Sequence, residues 1–99
     1  MFYEMTFGLF VLDPEKYGQY REEIAPLLKA AGGRFRYDFE VAQTLKNEAS
    51  HKINRLFVLT FPDRDSKERF FADSRYRDIR ARLFEKAVEA TTIIAEYAS

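Results

Sequence analysis

The sequence predicts one α+β domain in which a four-stranded antiparallel sheet carries two helices on one of its faces. In some segments apolar residues occur at every second position, as in a strand, and in others they recur at helical spacing. Along the chain these segments follow each other in the order β-α-β-β-α-β. The 99 residues are 46% hydrophobic. A chain of this length and composition is large enough for one hydrophobic core but not for two.

The first strand and the start of the first helix have clear sequence signals. Apolar residues at every second position predict a strand over residues 2–11. Asp13 is a favourable N-cap, and Pro14 suits the first position of a helix. Apolar residues then recur at helical spacing, so we expect a helix from Pro14 to Ala31.

A proline inside this helix raises the question of whether the helix continues. Pro26 removes one backbone hydrogen bond, and a proline in a helix interior costs about 3 kcal/mol. Gly32 and Gly33 supply the stop signal instead. We therefore expect Pro26 to bend the helix near residues 22–26 without ending it.

The other three strands are predicted from period-two patterns and β-branched residues. Residues 34–45 alternate, and the apolar face of this strand is expected to carry Phe35, Tyr37, Phe39 and Val41. The polar residues 46–52 form a turn. Residues 53–61 form the most apolar strand, and the β-branched stretch 91–97 forms the last one.

The second helical region lies between the third and fourth strands. It is expected to begin at an N-cap formed by Asp63 or Asp65, to break near Ser74, and to continue over residues 76–88. The resulting β-α-β-β-α-β order is that of the ferredoxin-like fold. Its strand order 4-1-3-2 would place the first and third strands, which are the most apolar, at the centre of the sheet.

Composition excludes several classes of function. Sixteen acidic residues balance sixteen Lys and Arg, so the chain has no general attraction to nucleic acid or to anionic membranes, and we expect neither as a partner. It has no cysteine, and His51 is its only histidine. We therefore expect no metal and no cofactor. The apolar N-terminal run is too short to span a bilayer and is interrupted by Glu4, so we expect a cytoplasmic protein.

Short motifs over most of the chain resemble a family of small bacterial proteins, the domain of unknown function numbered 1330. The matching residues are Asp13, Pro14, Glu15, Tyr17, Pro26, Gly32, Gly33, Arg34, Phe35, Phe61, Pro62, Phe71, Ser74 and Tyr76. That family belongs to the dimeric α/β-barrel superfamily, so the resemblance implies a ferredoxin-like subunit and a homodimer, but no catalytic residues. Where the family has a short turn before the third strand, this chain has the longer stretch 46–54.

Five residues are candidates for lining a ligand pocket: Tyr17, Tyr20, Tyr37, Arg55 and Tyr76. Tyrosines provide hydroxyl groups on an apolar wall, and Arg55 shares a strand face with Phe57, where a charge needs a partner. Alternatively, the tyrosines are core rings with hydroxyls at the margin, and Arg55 forms an ion pair at the strand end. His51 lies in a polar turn and is expected to be solvated; the alternative is a single acid–base or haem-proximal group.

These observations predict a homodimer, assembled through its sheets, that binds a small apolar or aromatic molecule or serves a structural role. The dimer follows from the third strand, where Leu56 and Val58 lie opposite Phe57 and Leu59, so both faces of the sheet are apolar. Fold-level analogy with the wider superfamily gives two alternatives: a cofactor-free monooxygenase acting on a small apolar or aromatic substrate, and a haem-binding protein.

Overall fold

A computed structural model describes residues 2–98 as a four-stranded antiparallel sheet packed against helices. The elements in chain order are β1 (Tyr3–Val11), α1 (Pro14–Ala30), β2 (Arg34–Glu40), β3 (Arg55–Phe61), α2 (Arg64–Ala72), α3 (Ser74–Ile79), a π-helical segment (Arg80–Phe84), α4 (Glu85–Ala87) and β4 (Val88–Ala98). The strands lie in the order β2-β3-β1-β4. The predicted fold class and strand order are therefore confirmed.

Helix α1 begins and ends where its local signals indicate. The Asp13 carboxylate accepts a hydrogen bond from the backbone N–H of Lys16 at 3.0 Å. The helix continues through Pro26, which is exposed to solvent, and ends at Ala30, one residue earlier than predicted. Gly32 follows with a φ of +77°, the left-handed conformation that glycine adopts without strain. The bend at Pro26 stays a prediction.

The second helical region is divided by two aspartate caps. Asp63 caps α2 by accepting a hydrogen bond from the backbone N–H of Ser66 at 2.7 Å. Asp73, not the predicted Ser74, caps α3 through a 2.8 Å bond from the backbone N–H of Arg75. The π-helical segment then carries the chain towards β4. Such segments are rare within helices and mark a local insertion in the hydrogen-bond pattern.

One apolar core fills the space between the helices and the sheet. β1 and β3 contribute every second residue to the core. Helix α1 contributes the buried residues of its apolar face. The core members from these three elements are Tyr3, Met5, Phe7, Leu9, Val11, Tyr17, Tyr20, Ile24, Leu28, Phe57, Leu59 and Phe61. Residues of α2, α3, the π-helical segment and α4 complete it. We call the opposite side of the sheet, which no helix covers, the open face.

A β-bulge in β2 corrects the predicted orientation of its side chains. Phe35 pairs with Leu59, but Tyr37 pairs with Val58, so Arg36 is an extra residue in the ladder. Beyond it, Tyr37 and Phe39 lie on the open face, whereas Phe35 packs against the core. The prediction that all three share one face is therefore wrong, because the bulge shifts the alternation by one residue.

The strand boundaries differ from prediction on either side of residues 41–54, which we call the connecting segment. β2 ends at Glu40 instead of residue 45, and β3 begins at Arg55 instead of residue 53. The base of the segment is fixed by Asn54, whose side-chain amide exchanges two 2.8 Å hydrogen bonds with the backbone of Val11. β4 begins at Val88, earlier than the predicted residue 91. No helix within residues 2–98 has the length and apolar character needed to cross a membrane.

Candidate functional site

A cavity of about 880 Å³ lies between the connecting segment and the open face. Its apolar lining consists of Val41, Leu45, Ala49, Ile53, Leu56, Ile93 and Ile94. Gly8 of β1 allows this arrangement, because a Cβ atom at Gly8 would lie only 2.8 Å from Cδ1 of Ile53. Leu45 lies at the mouth of the cavity and is 91% exposed. The cavity thus has an apolar floor and an open side.

Polar side chains form the rest of the cavity wall, and Gln43 and Asn47 are among them. Thr44 and Thr92 supply hydroxyl groups, and Lys46 and Glu48 face each other with 3.7 Å between Nζ and Oε1. Thr92 is held by His51, whose Nε2 lies 2.6 Å from the threonine Oγ1. The size of the cavity, and the combination of an apolar floor with polar groups, are typical of small-molecule sites.

His51 connects the connecting segment to β4. Its Nδ1 lies 2.7 Å from the carbonyl oxygen of Lys52, and its own carbonyl accepts a 2.8 Å hydrogen bond from the Asn47 side chain. The imidazole is half-buried, and both its nitrogens have partners. The prediction of a solvated loop histidine is therefore wrong, because the segment folds back onto β4.

Four of the five predicted pocket residues lie together on the helix side of the sheet, and we call them the tyrosine–arginine cluster. Tyr17, Tyr20 and Tyr76 are buried in the core, with Tyr17 at 0% exposure. The guanidinium carbon of Arg55 lies 4.8 Å from the centre of the Tyr17 ring, a cation–π contact. Tyr37, the fifth candidate, lies on the open face beyond the bulge and stacks on Phe39. None of the five lines the 880 Å³ cavity.

The charge of Arg55 is compensated within the fold. Its Nε and Nη2 atoms donate to the two carboxylate oxygens of Asp38 at 2.9 and 3.2 Å. Arg21 approaches the same carboxylate, with its Nε 2.9 Å from Oδ2. The hydrogen bonds from Arg55 to Asp38 raise the pKa of Arg55. The ion pair expected as the alternative role of Arg55 is therefore present, in a bidentate form.

The cluster tyrosines are neutral hydrogen-bonding groups. Burial raises the pKa of Tyr17, Tyr20 and Tyr76, that of Tyr20 well above its ordinary value. The hydroxyls of Tyr20 and Tyr76 lie 3.0 Å apart. The Tyr17 hydroxyl is buried and has no hydrogen-bond partner within residues 2–98. An unpaired buried hydroxyl costs free energy, so it is the one polar group of the cluster left free for a water or a ligand.

The sequence predicted which side of the sheet most of the cluster residues occupy, but it did not predict the cavity. Helical spacing and strand parity placed Tyr17, Tyr20 and Arg55 correctly. The cavity depends on a long-range contact between the connecting segment and β4. The signals available for it were the extra length of residues 46–54 and the single histidine within them.

Comparison with solved structures establishes the fold. RPA0582, a protein of unknown function from Rhodopseudomonas palustris, superposes with a TM-score of 0.80 at 17% identity, over 99% of this chain and 82% of that one. A dabb (dimeric α/β-barrel) family protein with a ferredoxin-like fold from Mesorhizobium loti gives 0.69 at 13% identity, over 99% and 96%. SnoaB, a cofactor-independent oxygenase from Streptomyces nogalater, gives 0.60 at 13% identity, over 99% and 90%. These likenesses establish a ferredoxin-like fold for this chain.

The sequence itself identifies the family. Residues 6–97 match the model of a domain of unknown function, DUF1330. The chain therefore belongs to this family, as its motifs predicted. Comparison with curated proteins found no match.

Proposed function

We propose that the protein is a homodimer that binds a small, largely apolar molecule in the cavity between the connecting segment and the open face. The observation that carries this proposal is the cavity itself. Its volume of about 880 Å³ falls in the range of small-molecule sites, about 300–1,000 Å³. Its floor is formed by Leu56 and Ile94, and its hydroxyl groups come from Thr44 and Thr92.

The homodimer is supported by the apolar side chains around the cavity. Tyr37, Phe39, Ile94 and Tyr97 are each about half exposed, and the register of the sheet places them on or beside the open face. Burying one large apolar side chain contributes roughly 1.5–3 kcal/mol, so a second copy of the sheet would gain several such contributions. The Mesorhizobium loti protein has the same fold, and its family, dabb, is named for dimeric α/β barrels. A partner sheet would also close the open side of the cavity.

Native mass spectrometry of the purified protein tests ligand binding directly. We expect to detect particles of two chains. These particles should carry a co-purified compound or take up added three-ring aromatic compounds. Leu56→Trp should fill the cavity floor and weaken binding at least about tenfold, because a bulky ring replaces the space for the ligand. Leu12→Trp is the matched control, since Leu12 is exposed and does not line the cavity.

A folded Leu56→Trp variant that binds as tightly as wild type would contradict this location of the site. Leu56→Ala provides a second measurement if the tryptophan variant unfolds. It enlarges the cavity, so it should retain binding and accept bulkier ligands. The remaining expectations from the sequence, a cytoplasmic location and no nucleic-acid partner, stay predictions.

A second candidate function is favoured by the unpaired hydroxyl of Tyr17. In this alternative the protein is a cofactor-free oxygenase for a small aromatic substrate, with the tyrosine–arginine cluster as its site, and SnoaB offers a fold-level precedent. Oxygen uptake in the presence of hydroxyaromatic compounds tests it. Tyr17→Phe should abolish uptake and Tyr37→Phe should not, because Tyr37 lies on the other face.

Haem binding is the third alternative from the sequence. His51 is the only imidazole, and it would have to release Lys52 or Thr92 to bind iron. A Soret band that appears on haem titration and is lost in His51→Ala would support this alternative.

A further inference from the structure

We propose that the His51–Thr92 pair makes the cavity select ligands that donate a hydrogen bond. The inference rests on the proposed function, because it names the class of ligand that the cavity accepts. It is carried by two hydrogen bonds of one imidazole ring, one to a backbone carbonyl and one to a hydroxyl that lines the cavity.

The backbone carbonyl fixes which nitrogen of His51 carries the proton. The carbonyl oxygen of Lys52 has no proton to donate, so Nδ1, at 2.7 Å, must be the donor. In the neutral imidazole only one nitrogen is protonated, and Nε2 is then an acceptor. The hydroxyl proton of Thr92, whose oxygen lies 2.6 Å from Nε2, must therefore point at His51.

This arrangement decides what Thr92 presents to the cavity. A threonine hydroxyl has one proton and two lone pairs. Because the proton is committed to His51, only lone pairs remain for a ligand. At Thr92 the cavity therefore accepts a hydrogen bond, and this contact favours a phenol or an alcohol over an ether or a carbonyl compound of the same shape. Backbone pairing of Thr92 with Gly8 holds the hydroxyl on the open face beside the apolar floor.

The charged side chains near His51 do not take over its hydrogen bond to Thr92. Within the connecting segment they are Lys46, Glu48 and Lys52, which are all exposed, and Lys46 and Glu48 pair with each other. The neighbours of Thr92 in β4 that line the cavity, Ile93 and Ile94, carry no charge. Thr44 is the other hydroxyl of the wall, and it is directed to the carbonyl of Ile53 at 3.4 Å.

Three matched ligands test the inference: 9-phenanthrol, its methyl ether, and phenanthrene-9-carbaldehyde. At pH 7.5 the phenol should bind about five- to tenfold more tightly than the ether or the aldehyde, the effect of one net hydrogen bond. Thr92→Val should remove this preference, and Thr92→Ser should retain it.

Thr91→Val is the control for the threonine substitution, since Thr91 is exposed, pairs with Leu9 and does not line the cavity. It should behave as wild type. Equal binding of the phenol and the ether to the wild type, or an unchanged preference in folded Thr92→Val, would overturn this inference and leave the proposed function standing. If none of the three compounds binds the wild type, both the proposed function and this inference are wrong.

Discussion

The hydroxyl groups of Tyr20 and Tyr76 lie 3.0 Å apart in the core, although the two residues are separated by 56 positions in the sequence. The bond joins α1 to α3, and the two rings also meet edge to face, with 6.4 Å between their centres. Each hydroxyl is thus the hydrogen-bond partner of the other, in a position from which water is excluded. This pairing explains how two polar atoms are accommodated within an aromatic core.

The first prediction is that the two hydroxyls are coupled. Tyr20→Phe or Tyr76→Phe alone should lower the free energy of unfolding by about 1–2 kcal/mol, because the remaining hydroxyl is left unpaired. The double variant should lose less than the sum of the two. Urea denaturation at a fixed protein concentration measures this cycle, and the exposed Tyr97→Phe serves as the control. Strictly additive losses would contradict the coupling.

The second prediction concerns the ion pair between Arg55 and Asp38. The Arg55 side chain is only 16% exposed, and its removal in Arg55→Leu leaves the Asp38 carboxylate with Arg21 alone. We expect a loss of about 2 kcal/mol in the free energy of unfolding, since charge-assisted bonds contribute about 1.5–3 kcal/mol. Arg64→Leu breaks an exposed pair with Glu68 and should change stability by less than about 0.5 kcal/mol. Equal losses in the free energy of unfolding for the two substitutions would contradict the prediction that the buried ion pair contributes more than the exposed one.

The third prediction is a pH dependence from the N-cap of α2. The hydrogen bond from the backbone N–H of Ser66 lowers the pKa of Asp63 below its ordinary value of 3.8. The stabilisation by this carboxylate is therefore present above that value and is lost as the pH falls through the lower pKa of the folded protein. Asp63→Asn keeps the cap but cannot titrate. Its melting temperature should thus fall less than that of wild type between pH 5 and pH 2.

The matching control for the cap is Asp65→Asn, which removes a carboxylate from the same helical turn without removing a cap. This variant should keep the acid dependence of the wild type. If wild type and Asp63→Asn lose the same number of degrees on acidification, Asp63 contributes nothing to the acid sensitivity.

The fourth prediction is that the buried phenols resist ionisation. Because burial raises the pKa of Tyr17, Tyr20 and Tyr76, their neutral forms stabilise the fold below pH 10, and this stabilisation is lost as the pH rises through the raised values. We expect these three to ionise together with unfolding, as one step in absorbance at 295 nm that coincides with loss of the far-UV circular dichroism. Ionisation of all six tyrosines while the far-UV spectrum is unchanged would contradict this.

The fifth prediction tests the homodimer. Phe39→Asp introduces a charge into the apolar part of the open face, and it should convert a dimer to a monomer at micromolar concentration. Leu12 lies in the connection between β1 and α1 and is about as exposed as Phe39. Leu12→Asp should therefore leave the dimer intact. Sedimentation equilibrium measures the mass of both variants. A wild-type mass of one chain would remove the dimer from the proposal.

The elements with local signals were predictable from the sequence. Helix α1 was placed within one residue because Asp13, Pro14 and the glycines after Ala31 act on their own neighbours. Periodicity predicted which side of their own elements Tyr17, Tyr20 and Arg55 occupy, since helical spacing and strand alternation decide which side chains share a face. Predictions of this kind need no knowledge of distant contacts, whereas the contact between Tyr20 and Tyr76 depends on one.

The features that escaped prediction depend on pairing between distant segments. The alternation of Phe35, Tyr37 and Phe39 looks unbroken in sequence, and only the register against β3 reveals the extra residue at Arg36. The polar composition of residues 46–52 indicated a solvated turn. It gave no indication that the histidine within it would contact β4, because that hydrogen bond spans 41 positions.

The irregularities in β2 and β4 have a consequence for behaviour at high concentration. These two strands are the edges of the sheet, and the register of each against its inner neighbour shifts, β2 at Arg36 and β4 next to Ile93 and beyond Ala90. A regular edge strand offers a continuous row of unpaired backbone groups on which further chains assemble into fibrils, and bulges interrupt that row. Molecules of this protein are thereby protected from edge-to-edge aggregation, while their apolar sheet surfaces stay available for face-to-face association.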